Sequence, residues 1–378
     1  MSRQLVSAGR RMCRLHLRVP GLLAAVALGM ALAACRPTDS GPDESACIAF
    51  TRHPFTQRYP IDPSEIWVMA PDGSHKTRVV GADPGGRQPA WSPDGRKIAF
   101  ISFEDHQLCV VNADGSGLTW LTRGRPTVWT LCGWSPDGKK ILFMREGKTT
   151  AEIDKSEIWV ISADGTAEVM LTDDAVDWGD PSWSPDGSKI MFVRWVGASS
   201  AICLMNADGS GQIQLTGLEQ EGSETGAESD HRPAWSPDGS QIAFARGMRL
   251  YLMRADGSQQ APVQRSADWF PGFLNSVWSP NGSTILAAYS PGTGMPDELH
   301  RINADGSGRM QLTADASPYS RPVWSPDGES IAFVSDRDGP YQIYVMRSDG
   351  SGQTNISKNP ASSDGAPAWW GPPSPRRE

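Results

Sequence analysis

Residues 91–100 read WSPDGRKIAF, and this stretch decides the fold because it recurs along the whole chain. The tryptophan that opens it returns at six later positions: Trp134, Trp183, Trp235, Trp278, Trp324 and Trp369. In the copy at Trp278 an Asn (Asn281) replaces the Asp, and the copy at Trp369 is degenerate. Successive copies are 43 to 52 residues apart. A steady period of this length is typical of proteins in which each repeat is one supersecondary unit.

Each copy has the chemistry of antiparallel hairpins. In Ser-Pro-Asp-Gly, Pro fixes φ at the second position and Gly follows at the fourth, which is the signature of a type I turn. In the first copy, apolar runs at residues 98–100, 108–111 and 118–122 follow the tryptophan, and an Asp-Gly turn at residues 114–115 separates the last two runs. Short apolar runs between such turns are typical of strands. The repeat therefore predicts a four-stranded meander of roughly 45 residues, the size of a propeller blade.

The two ends of the repeat region complete each other. Residues 48–80 contain the last three strands of a unit, and residues 367–370 contain a tryptophan strand with nothing after it. Together they make a seventh blade that closes the ring and leaves no open sheet edge. We therefore predict an all-β, seven-bladed β-propeller over residues 47–371, closed by N- and C-terminal strands that share one blade. The repeated tryptophans are expected to pack between blades, since such a ring buries both faces of each sheet.

Composition agrees with a turn-rich β structure and excludes several other classes. The 378 residues include 39 Gly and 30 Pro, which argues against long helices and therefore against a bundle or a coiled coil. The hydrophobic fraction of 39% is sufficient for a core. The net charge of −8 argues against nucleic acid as a partner, because binding phosphates requires a basic surface.

The first 34 residues have the pattern of a signal peptide. They carry five Arg and no acidic residue, and they end in a run of sixteen mostly apolar residues, 19–34. This run is short for a membrane span and suits a secretory signal. It ends in Leu32-Ala33-Ala34-Cys35, which resembles the bacterial lipobox. The resemblance implies acylation of Cys35 and anchoring in a bacterial membrane; the alternatives are an ordinary signal peptide cut nearby and a chance Cys.

Removal of residues 1–34 changes the charge and the set of thiols. The net charge becomes −13, and residues 35–46 are expected to form a lipid anchor and flexible tether. Residues 372–378 are expected to form a disordered tail. The remaining cysteines form zero, one or two disulfides in an oxidising compartment, or they stay as buried thiols: Cys47, Cys109, Cys132 and Cys203.

The motif order resembles the WD40-like repeat of TolB-type β-propellers. That order is Pro-Ala-Trp-Ser-Pro-Asp-Gly, then Ile-Ala-Phe, Ile-Tyr-Val-Met, Asp-Gly-Ser and Leu-Thr. The resemblance covers residues 47–371 and implies a propeller that binds proteins at one mouth. TolB itself carries an α/β domain before its propeller, which this sequence does not show, so the resemblance extends to the propeller alone. Related repeats also precede the hydrolase domain of prolyl oligopeptidase-like enzymes, and we expect no such domain here.

The two faces of the predicted ring differ in sequence. The first-to-second and third-to-fourth turns of all blades share one face, which we call the turn face, and they repeat with little change. The second-to-third and between-blade loops share the variable-loop face, and binding residues are commonly held on such loops by a rigid scaffold. Residues before the tryptophan strands are expected to ring the channel mouth on this face, either as binding residues or simply solvated: Gln88, Asp180, Arg232, Asn275 and Arg321. Loop aromatics are expected to bind a partner or to tuck under their own loops: Trp129, Trp178, Trp195, Trp269, Phe270, Phe273, Tyr289, Tyr319 and Tyr341.

Two acidic stretches are also assigned to the variable-loop face. The first could ligate Ca²⁺ through carboxylate oxygens, although a solvated acidic loop is the commoner explanation: Asp173, Asp174, Asp177 and Asp180. The second is assigned to the longest loop: Glu219, Glu221, Glu224, Glu228 and Asp230. No cofactor is expected, and Ca²⁺ has no further support in the sequence.

Catalytic signatures are missing from the sequence. There is no G-x-S-x-G elbow and no complete G-x-x-x-x-G-K-[ST] phosphate loop. Oligogalacturonate lyases hold a channel metal through several His on a propeller of this general kind. Here His53 and His106 are assigned to peripheral loops, and only His231 approaches the channel, so a His-metal centre is not expected. Carboxylate pairs for glycoside hydrolysis stay open, because their separation cannot be read from a sequence.

The sequence therefore predicts a lipoprotein of the cell envelope whose propeller is a non-catalytic, monomeric protein-binding scaffold. The partner is expected to be a protein or peptide, bound at the variable-loop face and channel mouth, and membrane contact is expected through the lipid anchor alone. The alternative is a propeller that binds carbohydrate or peptidoglycan, or a polysaccharide lyase-like enzyme, acting through the same mouth.

Overall fold

The computed structural model describes residues 46–54, 63–124, 127–146, 156–172, 177–196, 199–217, 229–263, 273–289, 297–316 and 322–371. These residues form 28 strands in seven four-stranded sheets, which confirms the prediction of an all-β, seven-bladed propeller. Within this part of the chain, no helix is long and apolar enough to cross a membrane. The predicted signal peptide, Cys35 and the predicted tail lie outside the described residues.

Each sheet is one blade, and the strands of blades 2 to 7 follow one another in the chain. Blade 1 begins with β1 (Cys47–Pro54), β2 (Glu65–Met69) and β3 (Thr77–Val80). Blade 2 has β4 (Arg87–Trp91), β5 (Lys97–Ile101), β6 (Leu108–Asn112) and β7 (Thr119–Trp120). Blade 3 has β8 (Val128–Trp134), β9 (Lys140–Glu146), β10 (Ser156–Ser162) and β11 (Glu168–Met170). Blade 4 has β12 (Asp177–Trp183), β13 (Lys189–Val196), β14 (Ser199–Asn206) and β15 (Ile213–Gln214).

The remaining blades complete the ring. Blade 5 has β16 (Asp230–Trp235), β17 (Gln241–Arg246), β18 (Arg249–Arg254) and β19 (Ala261–Pro262). Blade 6 has β20 (Phe273–Trp278), β21 (Thr284–Tyr289), β22 (Asp297–Asn303) and β23 (Met310–Ala316). Blade 7 has β24 (Val323–Trp324), β25 (Ser330–Ser335), β26 (Gln342–Arg347) and β27 (Thr354–Asn355). The last strand is β28 (Ser362–Trp370), and it joins blade 1 as that blade's first strand.

The chain ends close the ring as the sequence predicts. Strand β28 pairs antiparallel with β1, and Ile48 lies opposite Trp369 in that pairing. Blade 1 therefore has the order β28-β1-β2-β3. Because this strand comes from the far end of the chain, the N- and C-terminal strands hold each other in place, and blade 1 has four strands like the other blades.

The core consists of seven apolar clusters, one between each pair of neighbouring blades. Alternation along each second strand produces this arrangement: Ile98 packs toward blade 1, whereas its neighbour Ala99 packs toward blade 3. The second-strand phenylalanines, such as Phe50 and Phe100, are fully buried. Burying such a side chain contributes about 1.5–3 kcal/mol.

The Ser-Pro-Asp-Gly turns are closed by their own side chains. In the first, the Gly95 N–H donates to the Ser92 carbonyl at 2.9 Å, and the Ser92 hydroxyl donates to the Asp94 carboxylate at 2.6 Å. Gly95 has φ +68°, and a Cβ there would collide with the Trp370 ring, so only glycine fits. The predicted turn chemistry is confirmed.

The repeated tryptophans lie between blades, as predicted. In four of them the indole Nε1–H donates to a carbonyl on the first strand of the preceding blade, as Trp134 does to Ala90 at 3.1 Å. The exposed fraction is 6% at Trp278 and 8% at Trp324. The tryptophans therefore fill the gaps between blades, and these four also hydrogen-bond the inner strands to one another.

Two of the four propeller cysteines are free thiols in the core. Cys109 on β6 and Cys203 on β14 are buried, and burial raises the pKa of the Cys109 thiol to about 12 and that of Cys203 to about 11. Both therefore stay protonated near neutral pH and behave as small apolar side chains. Cys47 is buried at the start of β1, and Cys132 lies on β8 beside the channel mouth.

Candidate functional site

The predicted channel-mouth residues share an unusual backbone conformation. Gln88, Asp180 and Arg232, each three residues before a motif tryptophan, have φ of +54°, +48° and +51°. Ala366 takes the same place in blade 1, with φ +48°. The strand pairing shifts register at each of these points, which marks a β-bulge in the innermost strand. A left-handed backbone costs a non-glycine residue about 1–3 kcal/mol, and such bulges re-aim side chains at functional sites.

Two of these side chains reach across to the next blade. The Gln88 Oε1 accepts a hydrogen bond from the Leu131 N–H at 3.0 Å, and the Asp180 Oδ2 accepts one from the Arg232 N–H at 3.2 Å. Both contacts join the first strands of neighbouring blades, which gives these residues a structural role that the sequence did not reveal. Asn275 has the equivalent place in blade 6, and its buried Oδ1 has no hydrogen-bond partner among the described residues.

A cavity of about 450 Å³ opens at this mouth. Its lining residues come from strands of blades 1, 2 and 3, among them Gln88, and from blade 7, where the loop that follows β25 contributes. Its apolar walls are formed by Pro89, Ala90, Leu131, Val334, Tyr341 and Pro367. Its polar walls include Thr51, His53, Gln88 and Asp364. A concave site with mostly apolar walls and few polar groups is the usual form of a binding pocket.

His53 lies in this cavity, so its assignment to a peripheral loop was wrong. It occupies strand β1, opposite Ser363 on β28, because β1 extends beyond the apolar run that identified it in the sequence. Burial lowers the pKa of His53, and the nearby Asp364 carboxylate partly opposes this effect. His231 lies on the inner strand β16, as expected, and burial lowers its pKa. Among the described residues, no group of three or more His, Cys, Asp or Glu side chains could hold a metal ion.

The base of the cavity contains an ion pair that sequence reasoning missed. Arg52 donates from Nε and Nη2 to the two oxygens of Asp364, each at 2.7 Å, and Asp364 is fully buried. The Arg52 guanidinium also lies over Trp67, 4.5 Å from the ring centre. The sequence signal was present, since an Arg stands two residues after the second-strand Phe in several blades, but its carboxylate partner comes from the other end of the chain.

The second acidic stretch was assigned wrongly at one residue. Asp230 does not belong to a solvated loop; it begins strand β16, is 1% exposed and binds Arg246 through both oxygens at 2.7 Å. The prediction failed because the loop and the strand share an acidic composition. The other residues of that stretch, Glu219 to Glu228, lie outside the described residues, as do Asp173 and Asp174.

The loop aromatics are only partly described. Trp195 is half-buried on β13, and Tyr289 is buried on β21 beneath Arg309, whose guanidinium carbon lies 5.0 Å from the ring centre. Tyr341 lines the cavity at the channel mouth. Trp129 and Trp178 belong to β8 and β12, but their side chains lie outside the described part, as do Trp269, Phe270 and Arg321. For these last residues the predicted binding role stays a prediction.

Comparison with known proteins gives one family match over most of the chain. The family described as TolB beta propeller domain matches residues 60–227 and 232–370. Among curated sequences, the Protein TolB homolog of Chlorobium luteolum is 30% identical over 128 residues, which is 32% of this chain and 27% of that protein. The uncharacterized peptidase YuxL of Bacillus subtilis is 26% identical over 159 residues, 30% of this chain and 24% of that protein. The chain thus spans about a quarter of the length of these curated relatives.

Solved structures with the same fold belong to proteins of different kinds. TolB from Acinetobacter baumannii is similar with a TM-score of 0.54 and 18% identity, over 87% of this chain and 67% of that one. An oligogalacturonate lyase in complex with manganese has a TM-score of 0.63 and 14% identity, over 79% of this chain and 90% of that one. A puromycin hydrolase has a TM-score of 0.65 and 15% identity, over 87% and 55%. At these identities the likeness shows the fold alone, because one propeller fold supports unrelated functions.

Proposed function

Because the chain belongs to the TolB beta propeller domain family, we propose that it is a non-catalytic scaffold at the cell envelope that binds a protein or peptide partner. Binding takes place at the channel mouth on the variable-loop face. The partner inserts a side chain or a short segment into the cavity between blades 1, 2, 3 and 7, and the surrounding loops contact the rest of it.

The cavity of about 450 Å³ is the observation that carries this proposal. Leu131, Val334 and Tyr341 provide apolar contact, while Gln88 and His53 provide polar groups that orient a ligand. A half-buried tyrosine beside aliphatic side chains is the composition that interface anchors favour. The cavity is concave, so a small inserted group would lose most of its contact with water and gain affinity from burial.

The contacts between blades make the ring rigid, which suits a protein that presents a fixed binding surface rather than one that changes conformation. The inner strands are joined by the hydrogen bonds from Leu131 to Gln88 and from Arg232 to Asp180, and the buried pair of Arg52 and Asp364 ties the two chain ends together below the cavity. A pre-organised pocket spends little binding free energy on ordering itself. The bulged residues therefore hold the mouth open in one shape.

Anchoring at the envelope is part of the same proposal and rests on Cys35. Acylation of this residue would fix the propeller to a bacterial membrane, since two or more acyl chains bind stably where one binds only marginally. We expect Cys35→Ala to abolish incorporation of labelled palmitate and to release the protein into the soluble fraction. Unchanged membrane retention of this variant would refute the lipobox interpretation.

A photo-cross-linking amino acid in the cavity tests the binding role. Placed at Tyr341, it should yield a discrete protein adduct in intact cells. Placed at the exposed Ser210 on the turn face, it should yield none, and this position is the matched control. Absence of a protein adduct at Tyr341, together with binding or cleavage of polysaccharide by the purified protein, would overturn the proposal in favour of the carbohydrate alternative.

A further inference from the structure

Most blades hold an arginine over the aromatic pair at the variable-loop end of their second and third strands. In blade 1, Arg52 lies 5.3 Å from the ring centre of Phe50 and 4.5 Å from that of Trp67, and these two aromatics lie opposite each other in the sheet. In blade 3, Arg145 covers Phe143 and Trp159 at 5.3 and 5.0 Å. The carboxylates of Asp364 and Glu168 bind these arginines. Each guanidinium is thus held by two rings and one acid.

The same arrangement recurs in blades 5 and 7. Arg246 covers Phe244 and Tyr251 at 5.4 and 5.0 Å, and its carboxylate partner is Asp230. In blade 7, Arg337 comes from the loop after β25 rather than from a strand, and it covers Phe333 and Tyr344 at 5.5 and 4.6 Å. The site for a guanidinium is therefore a property of the repeat, and the arginine that fills it can come from different places in the chain.

Blade 2 has the phenylalanine on its second strand but has no arginine two residues after it. Phe100 is present, but the residue two positions after it is Ser102, and residues 103–106 contain no arginine. The residue opposite Phe100 is Cys109 instead of an aromatic one. The second ring comes from the outer strand, where Trp120 lies opposite Cys109. In other blades the residue at the place of Trp120 is not aromatic: Arg78, Met170, Gln214, Pro262, Gln311 and Asn355.

An open groove of about 790 Å³ lies on the variable-loop side of blade 2, beside Trp120. One wall is the loop between β5 and β6, which carries Glu104 and Asp105, and the other wall includes Arg123 and Thr127. Trp120 is half-buried, so part of its indole faces the groove. Gln107 at the base is buried and satisfied by the Asp105 and Gly124 carbonyls.

The two acidic side chains on the wall of the groove are available to a ligand. Glu104 and Asp105 are exposed, and none of the ion pairs between described residues involves either of them. In blades 1 and 5 the acid comes from the first strand and in blade 3 from the fourth strand, whereas the acids of the blade 2 groove come from the loop between the second and third strands. The groove of blade 2 combines these acids with an aromatic face and with Arg123 on the opposite wall.

We propose that the groove of blade 2 binds an arginine side chain of a partner protein, held by an aromatic ring and carboxylates as the internal arginines of blades 1, 3 and 5 are. The guanidinium lies against the Trp120 indole and donates hydrogen bonds to Glu104 and Asp105. Arg123 on the opposite wall repels this guanidinium and weakens its binding. The groove lies outside the channel mouth, so this proposal does not depend on the function proposed above. It adds a second binding site, for a guanidinium group, on the same face of the ring.

A charged tripeptide and its uncharged isostere test the proposal. Acetyl-Gly-Arg-Gly-amide is titrated at low salt into protein labelled with ¹⁵N at tryptophan, and the Trp120 indole signal is identified by its loss in Trp120→Phe. We expect a saturable shift of this signal with the arginine peptide and none with the peptide in which citrulline replaces arginine. Salt should weaken the binding, because surface charge interactions are screened.

Three variants separate a built site from general attraction. Glu104→Gln with Asp105→Asn should raise the dissociation constant about fivefold, as loss of two exposed charge contacts implies. Asp208→Asn with Asp256→Asn removes the same charge from exposed turns on the turn face, and it should leave the constant unchanged. Arg123→Gln should lower it. Equal binding of the citrulline peptide, equal weakening by both acidic pairs, or no shift at Trp120 would overturn the proposal, and none of these outcomes bears on cross-linking at Tyr341.

Discussion

The two faces of the ring differ in the residue types that adopt a left-handed backbone. On the turn face such positions are mainly glycines, for example Gly95 and Gly115, where no Cβ has to be accommodated. On the variable-loop face they are mainly other residues. Of the eight non-glycine residues with positive φ in the described part of the chain, six lie on the variable-loop face: Gln88, His106, Asp180, Arg232, Lys358 and Ala366.

This difference distinguishes the turns that recur in every blade from the loops that are specific to one blade. A turn that recurs in every blade can be made with the residue that adopts it without strain. Non-glycine residues in the same conformation persist only where neighbouring contacts over-determine them, and they gather at functional sites. Of these positions, Gln88 and Ala366 line the channel cavity, and His106 lines the groove of blade 2. We therefore expect substitutions on the two faces to differ in size and even in sign.

The largest effect is expected at the buried ion pair below the cavity. Arg52→Met keeps most of the side-chain volume but leaves the carboxylate of Asp364 buried without its partner. Breaking a buried pair in this way costs about 3–5 kcal/mol of the free energy of unfolding. Chemical denaturation measures this loss, and Arg52→Met combined with Asp364→Leu should recover much of it because no buried charge remains.

An ion pair on the turn face is the matched control. Lys139 and Asp137 lie 3.8 Å apart, and their side chains are 81% and 58% exposed. Lys139→Met should change the free energy of unfolding by less than about 0.5 kcal/mol, because water screens an exposed pair. Similar losses at Arg52 and Lys139 would contradict the claim that the variable-loop face carries the costly contacts.

The regular parts of the molecule were predictable from the sequence because their causes are local. The Ser-Pro-Asp-Gly turns and the period of the tryptophans follow from residue types close together in the chain, and the shared closing blade follows from the incomplete repeats at its two ends. The binding role of the residues that precede each tryptophan by three stays a prediction. The pair of Arg52 and Asp364 was not predictable, because its partners are separated by almost the whole chain. His53 and Asp230 were misplaced because strand ends extend beyond the apolar runs that identify strands.

A loss of intermediate size is expected at the hydroxyl inside a turn. Ser184 is buried; its hydroxyl donates to Asp186 and accepts a hydrogen bond from the Lys189 N–H at 2.9 Å. Ser184→Ala should lower the free energy of unfolding by about 1–2 kcal/mol, because the Lys189 N–H loses its partner. Ser188→Ala removes an exposed hydroxyl from the same turn and should cost less. A larger loss at Ser188 would contradict the assignment.

A smaller, pH-dependent effect is expected from the carboxylate in that turn. Hydrogen bonds from Ser184 and Ser188 lower the pKa of Asp186 to about 2. Because the folded-state pKa is below the ordinary value near 3.9, the contribution of Asp186 to stability is present above pH 4 and is lost as the pH falls toward 2. Carboxyl NMR should give a midpoint near 2 that rises in Ser184→Ala. A midpoint at the ordinary value in both proteins would show that the turn does not hold the charge.

The smallest effect is expected to be a gain, at Ala366, the strained mouth position whose side chain is only a methyl group. Ala366 has φ +48°, which costs an L-residue about 1–2 kcal/mol, whereas glycine loses only about 0.5–1 kcal/mol in chain entropy. Ala366→Gly should therefore raise the free energy of unfolding by about 0.5 kcal/mol. Ala368→Gly, two residues later on the same strand and equally half-buried, has no such strain to relieve and should lower it by about 1 kcal/mol. If both glycines destabilise alike in thermal and chemical denaturation, the left-handed backbone at the mouth stores no strain, and the two faces differ in sequence alone.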